Sequence, residues 1–430
     1  MSLPLKEEKP KFWALADCVS FYCACERLFR PDLAHKPLVV LSNNDGCVVS
    51  LTPEAKDLGF KRGDLFFKIR EKLLEAGAAV FSSNYALYGD ISRRVALAME
   101  SVAPKIYQYS IDEAFIPLPE ALAAQALEVG YSLKERVARW VGVPVRVGLG
   151  PTRTIAKLAN RWAKKLGPVV SLELGQTLLE ELLGQTELED IWGIGRGIAK
   201  KLVAQGLKTA ADLRNWDIIK AKKLVGVTLE RVILELRGYQ CIDMDLTPSD
   251  RKSLVSSHSF GHKITNFEAL AEALTLRCSI AGAKLRREKL KASALSIFIE
   301  TGSFAENPFQ GGATVTFSRA VSSTLELVKA ARIALQRAYQ PNRPYAKAGV
   351  ALFDLSPEDT TTSPSLFSGP NDSRAQDLMR AMDRICDRHG QGAIKISTQG
   401  LDPNPAWAAR RERLSPVSTT CWSELPTVKV

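Results

Sequence analysis

Twice along this chain, segments of strand and helix periodicity follow one another in the order β-α-β-β-α-β. In the first run, FWALAD (residues 12–17) reads as a strand ending on an acid, residues 84–102 as a helix, and the apolar stretch around YSIDEAF as a strand hairpin. A helix from Pro119 to about Val141 and the strand VPVRVGLG complete it. The order emerges once an insert from about 24 to 83 is set aside, and it specifies a ferredoxin-like sheet with helices on one face. A short helix from Phe21 to Leu28 leads from the first strand into the insert. The insert holds a hairpin, LVVLSNNDGCVVSL, turning on Asn44-Asp45-Gly46, and a helix stopped by Gly59. TRTIAKLANRWAKKLG is a basic helix closed by Gly167, and residues 171–245 read as wholly helical with short loops. The second run has strands near 254–262, 293–301, 313–319 and 345–354, with helices near 267–289 and 323–340. No sequence repeat links the two runs. From about 356, SPEDTTTSPSLFSGPNDS has linker composition, and one helix, Ser373–His389, follows it. The expected fold class is α+β and multidomain.

Within YSIDEAF two acids, Asp112 and Glu113, sit side by side in an apolar run. Strand alternation places Glu113 on the apolar face with Tyr109, Ile111 and Phe115, where an unpaired carboxylate is costly to bury. A hairpin tip and a metal site account for the pair about equally well on these residues alone. The element order adds Asp17. The first and third strands of a ferredoxin-like sheet are central neighbours, so Asp17 can face Asp112 with Glu113 at the hairpin edge. Converging carboxylates repel unless cations separate them, and oxygen ligands suit Mg²⁺. Two such ions ~3.5–4 Å apart clamp the attacking and leaving oxygens of a phosphoryl transfer. Ferredoxin-like sheets with acids so placed host polymerases and nucleotidyl cyclases. The rival reading is three surface acids at loop ends.

Charge points to a polyanionic partner. The 430 residues carry 58 Lys+Arg against 47 Asp+Glu, a net +11. Residues 251–350 alone hold 15 Lys+Arg and 6 Asp+Glu, a net +9. The densest run there is KLRREKLKAS, with Lys284, Arg286 and Arg287; it is either a phosphate-tracking face or a solvated helix face. DIWGIGRGIAKKL has a helix-hairpin-helix pattern. Gly193 and Gly195 would let backbone N–H groups approach a phosphate, with Arg196, Lys200 and Lys201 adding charge. His258 and His262 are four apart, but in a strand-like segment unsuited to a metal-binding helix. The eight cysteines form no C-x-x-C pair, as expected of a reducing, cytoplasmic setting. The N-terminal residues lack a signal-peptide core, and no apolar run approaches the ~20 residues that span a membrane, so no membrane association is expected.

ALADCVSFYCACE, VVLSNNDGCVVS, FSSNYALYGDISRRV, YSIDEAF, RTIAKLANRWAKK, DIWGIGRGIAKKL and SHSFGHKIT together resemble the Y-family translesion DNA polymerases, in the UmuC branch. The resemblance covers nearly the whole chain. It implies a palm (12–23 and 84–170), fingers (24–83), a thumb (171–245), a little finger (251–355) and a C-terminal region (356–430). It implies error-prone, template-directed DNA synthesis in the SOS response to DNA damage. A catalytically silent DNA-binding scaffold of this fold is the alternative, but would lack one of the acids. A nucleotidyl cyclase is another, but would not need the helix-hairpin-helix or the basic second sheet.

The resemblance assigns two Mg²⁺ ions to Asp17, Asp112 and Glu113, with the Cys18 backbone carbonyl as a further ligand. It makes Tyr22 the steric gate under the deoxyribose, flanked by Phe21. Lys56 and Lys164 fall on the incoming triphosphate, and Cys47 and Val49 over the nascent base pair. Pro53 stands where several relatives have a triphosphate-contacting tyrosine. The clamp-binding motif keeps Leu366-Phe367 without the usual glutamine, implying a weak sliding-clamp contact. The implied partners are primed DNA and dNTPs, a processed UmuD dimer and a RecA filament. Residues beyond Pro357 hold none of these site residues except the clamp motif, so the tail is expected to be dispensable for single-nucleotide insertion.

Overall fold

The computed structural model describes residues 11–242, 251–302, 305–358, 372–390, 392–402, 405 and 407–425. Leu366 and Phe367 lie outside the described residues. The chain divides into two compact units, residues 1–42, 46–246 and 413–430 in one, and residues 43–45 and 247–412 in the other.

The first unit opens with β1 (Phe12–Cys18), whose Trp13–Ala16 are all buried, as expected of a strand covered on both faces. Helix α1 (Phe21–Arg27) follows directly. The insert forms a small three-stranded sheet. β2 (Leu38–Leu41) pairs antiparallel with β3 (Val48–Leu51), and helices α2 (Pro53–Asp57) and α3 (Phe66–Glu75) lead to β4 (Ala79–Ser82), which pairs parallel with β2. The β2–β3 turn is built on left-handed Asn44 and Asp45, residue types that tolerate positive φ.

Helix α4 (Tyr85–Glu100) then leads to β5 (Tyr107–Gln108) and β6 (Glu113–Leu118). The helix expected from Pro119 to Val141 is two, α5 (Glu120–Ala123) and α6 (Ala126–Val141), because the backbone leaves helical geometry at Gln125. β7 (Val145–Gly150), α7 (Arg153–Leu166) and β8 (Val169–Ser171) complete a sheet of order β5-β6-β1-β7-β8. Its first four strands follow the ferredoxin-like order. Ala14, Ala16, Ile116, Val147 and Leu149 face one way and pack in a core with residues of α4 and α6. Trp13, Leu15 and Phe115 face the other way and meet Ala156 of α7. Short helices follow, α8 (Thr177–Gln185), α9 (Arg196–Val203), α10 (Ala210–Asn215), α11 (Ile218–Leu224) and α12 (Val227–Leu236), and build their own core with α7.

The second unit contains β9 (Ser253–Ile264), α13 (Phe267–Arg287), β10 (Leu290–Glu300), β11 (Gln310–Val321), α14 (Thr324–Ala338) and β12 (Tyr345–Pro357). The element order repeats that of the first unit, but the strand order does not. It runs β11-β10-β12-β9, all antiparallel, with the first strand at an edge. In both sheets each crossover helix skips one strand. Element order alone admits either interleaving, so the shared order did not fix a shared topology. α15 (Asp372–His389) lies beyond.

Two findings concern residues beyond Pro357. The last segment, from Arg413, belongs to the first unit, where it is hydrogen-bonded to β4 and to the start of α4. And Arg286 of the basic run is only 14% exposed in its side chain. It makes a bidentate pair with Asp383 of α15 (2.6 and 2.7 Å) and donates to Ser322 O and Thr324 Oγ1. Its guanidinium is used inside the unit. Arg287 pairs with Asp387 at 3.1 Å but stays largely exposed, and Lys284 is exposed.

Candidate active site

The register of the first sheet sets the site. Asp17 pairs across β1 with Glu113 of β6 on one side and with Arg146 of β7 on the other. Directly opposed residues of neighbouring strands project from the same face. Glu113, Asp17 and Arg146 therefore form a row across three strands, on the face that carries α7. The register differs from the expectation by one residue: Glu113, not Asp112, opposes Asp17. Asp112 sits one position before the strand, where its carbonyl accepts the Cys18 N–H at 2.9 Å.

Helix α7 supplies the other half. Thr152 caps it, accepting from Ile155 N at 3.2 Å. Asn160 ties it down, donating to Leu15 O (3.2 Å) and Arg146 O (3.0 Å). Lys157 and Lys164 then face the acid row. With Asp17, Glu113, Arg161 and Trp192 they line a cleft of about 300 Å³. Lys157 Nζ bonds Glu113 Oε2 at 2.7 Å and lies over the Tyr109 and Trp192 rings. Arg146 reaches Asp17 Oδ2 at 3.3 Å, and Asp112 Oδ1 accepts from Ser110 Oγ at 2.6 Å. Each of the three acids thus turns to its own local partner. Among the described residues no group of three His, Cys, Asp or Glu side chains stands ready to hold a metal ion.

Burial and neighbouring charge set the electrostatics of the row. Burial, then the Glu113 charge, pushes the Asp17 carboxyl up to about 6, although Arg146 pulls it down. A carboxyl so disfavoured in its charged form gains from an added cation. On the cationic side, burial followed by Arg62 and Arg146 lowers Lys56 of α2, and burial followed by Arg146 lowers Lys164. These groups make a crowded cationic cluster beside the acids, suited to a polyanion. Pro53, which stands where the resemblance puts a tyrosine in several relatives, occupies the first turn of α2, a position proline favours.

Sequence reading missed Arg146, Lys157 and Asn160. Arg146 was recoverable from the alternation of VRVGLG, in which it is the one charged residue among apolar and glycine positions. Lys157 and Asn160 lie three apart on α7 and share a face of that helix.

The remaining expected residues divide. Phe21 is buried in the core. Tyr22 is half-buried and stacks on Tyr88 at 4.5 Å and 15°, with Tyr85 edge-on at 6.0 Å. Burial and Tyr85, then Asp112, raise its hydroxyl above the usual tyrosine range, so it lies within reach of the Asp112 charge. Cys47 and Val49 lie on the β2–β3 hairpin, both partly exposed. The Cys18 thiol is buried and held well above its ordinary range, first by burial and then by Asp17, which leaves it inert. Gly193 takes φ +90°, a conformation few other residues adopt, and Gly195 precedes α9. A Cβ on Gly195 would meet nothing within 4 Å. Arg196, Lys200 and Lys201 are exposed beside it. His258 packs edge-on to Trp407, and His262 contacts Arg410.

Comparison with known proteins now decides the lineage. Residues 16–161 match the impB/mucB/samB family and residues 251–366 its C-terminal domain, while residues 376–428 match a domain of unknown function. Protein SamB of Salmonella typhimurium is 38% identical over 97% of this chain and 100% of its own length, and protein UmuC of the same species 37% identical over the same shares. The chain belongs to the impB/mucB/samB family. It is a Y-family, UmuC-type sequence. A chimera of the Y-family DNA polymerases Dbh and Dpo4 superposes with a TM-score of 0.63 at 20% identity, covering 80% of this chain and 98% of the chimera. That likeness carries the fold, a palm, fingers, thumb and little finger. Among the described residues no helix is long and apolar enough to cross a membrane.

Proposed function

We propose that the chain is an error-prone, template-directed DNA polymerase of translesion synthesis in the SOS response, adding nucleotides by two-Mg²⁺ nucleotidyl transfer. The observation that carries this is the row Glu113–Asp17–Arg146 bordered by Lys157, Lys164 and Lys56. Acids for cations lie on one side and cations for a triphosphate on the other. The palm would comprise 12–23 and 84–170, the fingers 24–83, the thumb 171–245 and the little finger 251–355.

The oxygen-only donor set fits Mg²⁺, and the raised Asp17 carboxyl marks a place where positive charge is favoured. Asp17, Asp112, Glu113 and the Cys18 carbonyl would hold the ions. When bound they would lower the charge cost at the attacking and leaving oxygens. The chain's own groups do the rest. Lys56, Lys164 and Arg146 bind and orient the triphosphate, and Lys157, 2.7 Å from Glu113 Oε2, positions that carboxylate. Tyr22 sits under the sugar and Cys47 and Val49 over the base pair. The backbone at Gly193 and Gly195, open to outside approach, takes a DNA phosphate with Arg196 and Lys200. Partners of the UmuC type follow from the family: a processed UmuD dimer, a RecA filament and, weakly through Leu366 and Phe367, the sliding clamp. Primer extension with Mg²⁺, the partner dimer and the filament tests this. Absence of templated addition by that full assembly overturns it.

Tyr22→Ala is expected to raise ribonucleotide over deoxyribonucleotide incorporation by about 10²-fold, because the gate acts as a clash against the 2′-OH. Competing rNTP and dNTP insertion measures it, and an unchanged ratio assigns the gate elsewhere.

Lys284→Glu is expected to weaken primer-template binding and to lower the salt slope by roughly 0.9 per lost phosphate contact on duplex DNA. Arg286→Ala is expected to do neither. It leaves Asp383 without its bidentate partner and costs about 1–2 kcal/mol in thermal unfolding, discounted for partial exposure. A salt slope that moves with Arg286 and not with Lys284 reverses the assignment.

A further inference from the structure

We propose that the last described segment of the chain, within the domain of unknown function, is a positioning element of the sugar gate: Ser415 acts through Glu26 and Tyr88 on Tyr22. The inference rests on the reading of Tyr22 as that gate.

Tyr22 and Glu26 lie one turn apart on α1 and share a face of it. Tyr88 of α4 bridges them. Its ring stacks on Tyr22, and its hydroxyl donates to Glu26 Oε1 at 2.6 Å. Tyr88 is fully buried and Glu26 is 2% exposed. Glu26 Oε1 accepts a second hydroxyl, Ser415 Oγ, at 3.0 Å. Burial pushes the Glu26 carboxyl up while the two hydroxyls pull it back. A buried carboxylate held by two donors depends on both.

Ser415 is itself held. Asn84 Nδ2 donates to Ser415 O at 2.9 Å and approaches Ser415 Oγ at 3.0 Å, while Asn84 Oδ1 caps α4, the helix that carries Tyr85 and Tyr88. Two residues upstream, Arg413 exchanges hydrogen bonds with Ser82: Ser82 N to Arg413 O at 2.9 Å and Arg413 N to Ser82 Oγ at 3.0 Å. The Arg413 guanidinium lies over the Phe66 ring. Downstream, Ser418 is buried. The segment is therefore fastened on both sides of Ser415.

A gate that works by clash must not yield. Tyr88 backs one face of the Tyr22 ring, and Tyr88 is fixed by the carboxylate that Ser415 shares. A side chain placed by packing and supporting hydrogen bonds is the usual condition for such discrimination.

The test is single-nucleotide insertion by the full chain in its active assembly, reading kcat/KM for an rNTP against the matching dNTP. Ser415→Ala and Tyr88→Phe should each raise relative rNTP use by about fivefold, the effect of one hydrogen bond. The dNTP kcat should stay within about twofold, and Ser415→Thr, which keeps the hydroxyl, should restore the ratio. Tyr22→Ala serves as the reference. If Tyr22→Ala relaxes the ratio while Ser415→Ala and Tyr88→Phe keep the wild-type value, the positioning role is overturned and the gate stands. If Tyr22→Ala itself changes nothing, both fall. A chain ending at Glu412 should relax the ratio as Ser415→Ala does. Should that chain not fold, the point variants decide.

Discussion

Alanine at Asp112 or at Glu113 is expected to lower single-nucleotide insertion by on the order of 10³-fold or more, with primer-template affinity nearly unchanged. Several kcal/mol of transition-state stabilisation by bound cations would be lost with either acid. Local structure supports a clean reading. Removing the Glu113 carboxylate leaves Lys157 over the Tyr109 and Trp192 rings, so the cation keeps favourable neighbours. Removing the Asp112 carboxylate costs one hydroxyl bond, from Ser110, and leaves the Cys18 N–H to Asp112 O contact in place because that contact is backbone. Neither variant should unfold the sheet. Burst insertion on a primed template, beside DNA affinity by titration, separates chemistry from binding. Near-normal insertion by either variant removes the two-ion assignment.

The acid pair was legible in the sequence because charge in an apolar strand is costly, and Asp17 was legible because the element order makes its strand central. What the sequence did not disclose is register. Strand pairing is settled by packing across the whole sheet, and a shift of one residue exchanges Glu113 for Asp112 opposite Asp17. The same limit applies to the second unit, where one element order fits two strand orders. Arg286 illustrates another limit. In the sequence it is one of several cations in KLRREKLKAS, and its partner Asp383 lies 97 residues away, past a segment of linker composition. Nothing local separates it from Lys284. The tail shows the same limit. The linker composition before residue 372 discloses nothing of the contacts that fasten Ser415, which involve residues more than 300 positions earlier. Composition reports on a segment's own tendency to fold and is silent on the surface that will hold it.

Gly148→Ala is expected to cost about 3 kcal/mol or more in stability, at or beyond the upper end for overpacking, and to lower insertion by about 10²-fold in whatever fraction still folds. The reason lies in how α7 meets β7. Along β7, Val145, Val147 and Leu149 fill one face, while Arg146, Gly148 and Gly150 face α7. A Cβ at Gly148 would stand 2.1 Å from Asn160 N and 2.2 Å from Ala156 O, and one at Gly150 would stand 2.8 Å from Ala156 N. These neighbours are backbone and cannot rotate away. The helix must move outward or the strand must bend. Either change breaks the Asn160 bonds to Leu15 O and Arg146 O, which seat the helix against the acid row. Lys157 and Lys164 ride on the same helix, so the cationic side of the site shifts with it. A misplacement of about 1 Å at a reacting centre is worth about 10² in rate. Thermal unfolding and insertion kinetics should therefore fall together for Gly148→Ala, in contrast to Asp112→Ala, where only insertion falls. Alanine tolerated at 148 with normal stability would mean that α7 does not lie against the sheet at this distance, and the geometry assigned to Lys157 and Lys164 would fall with it.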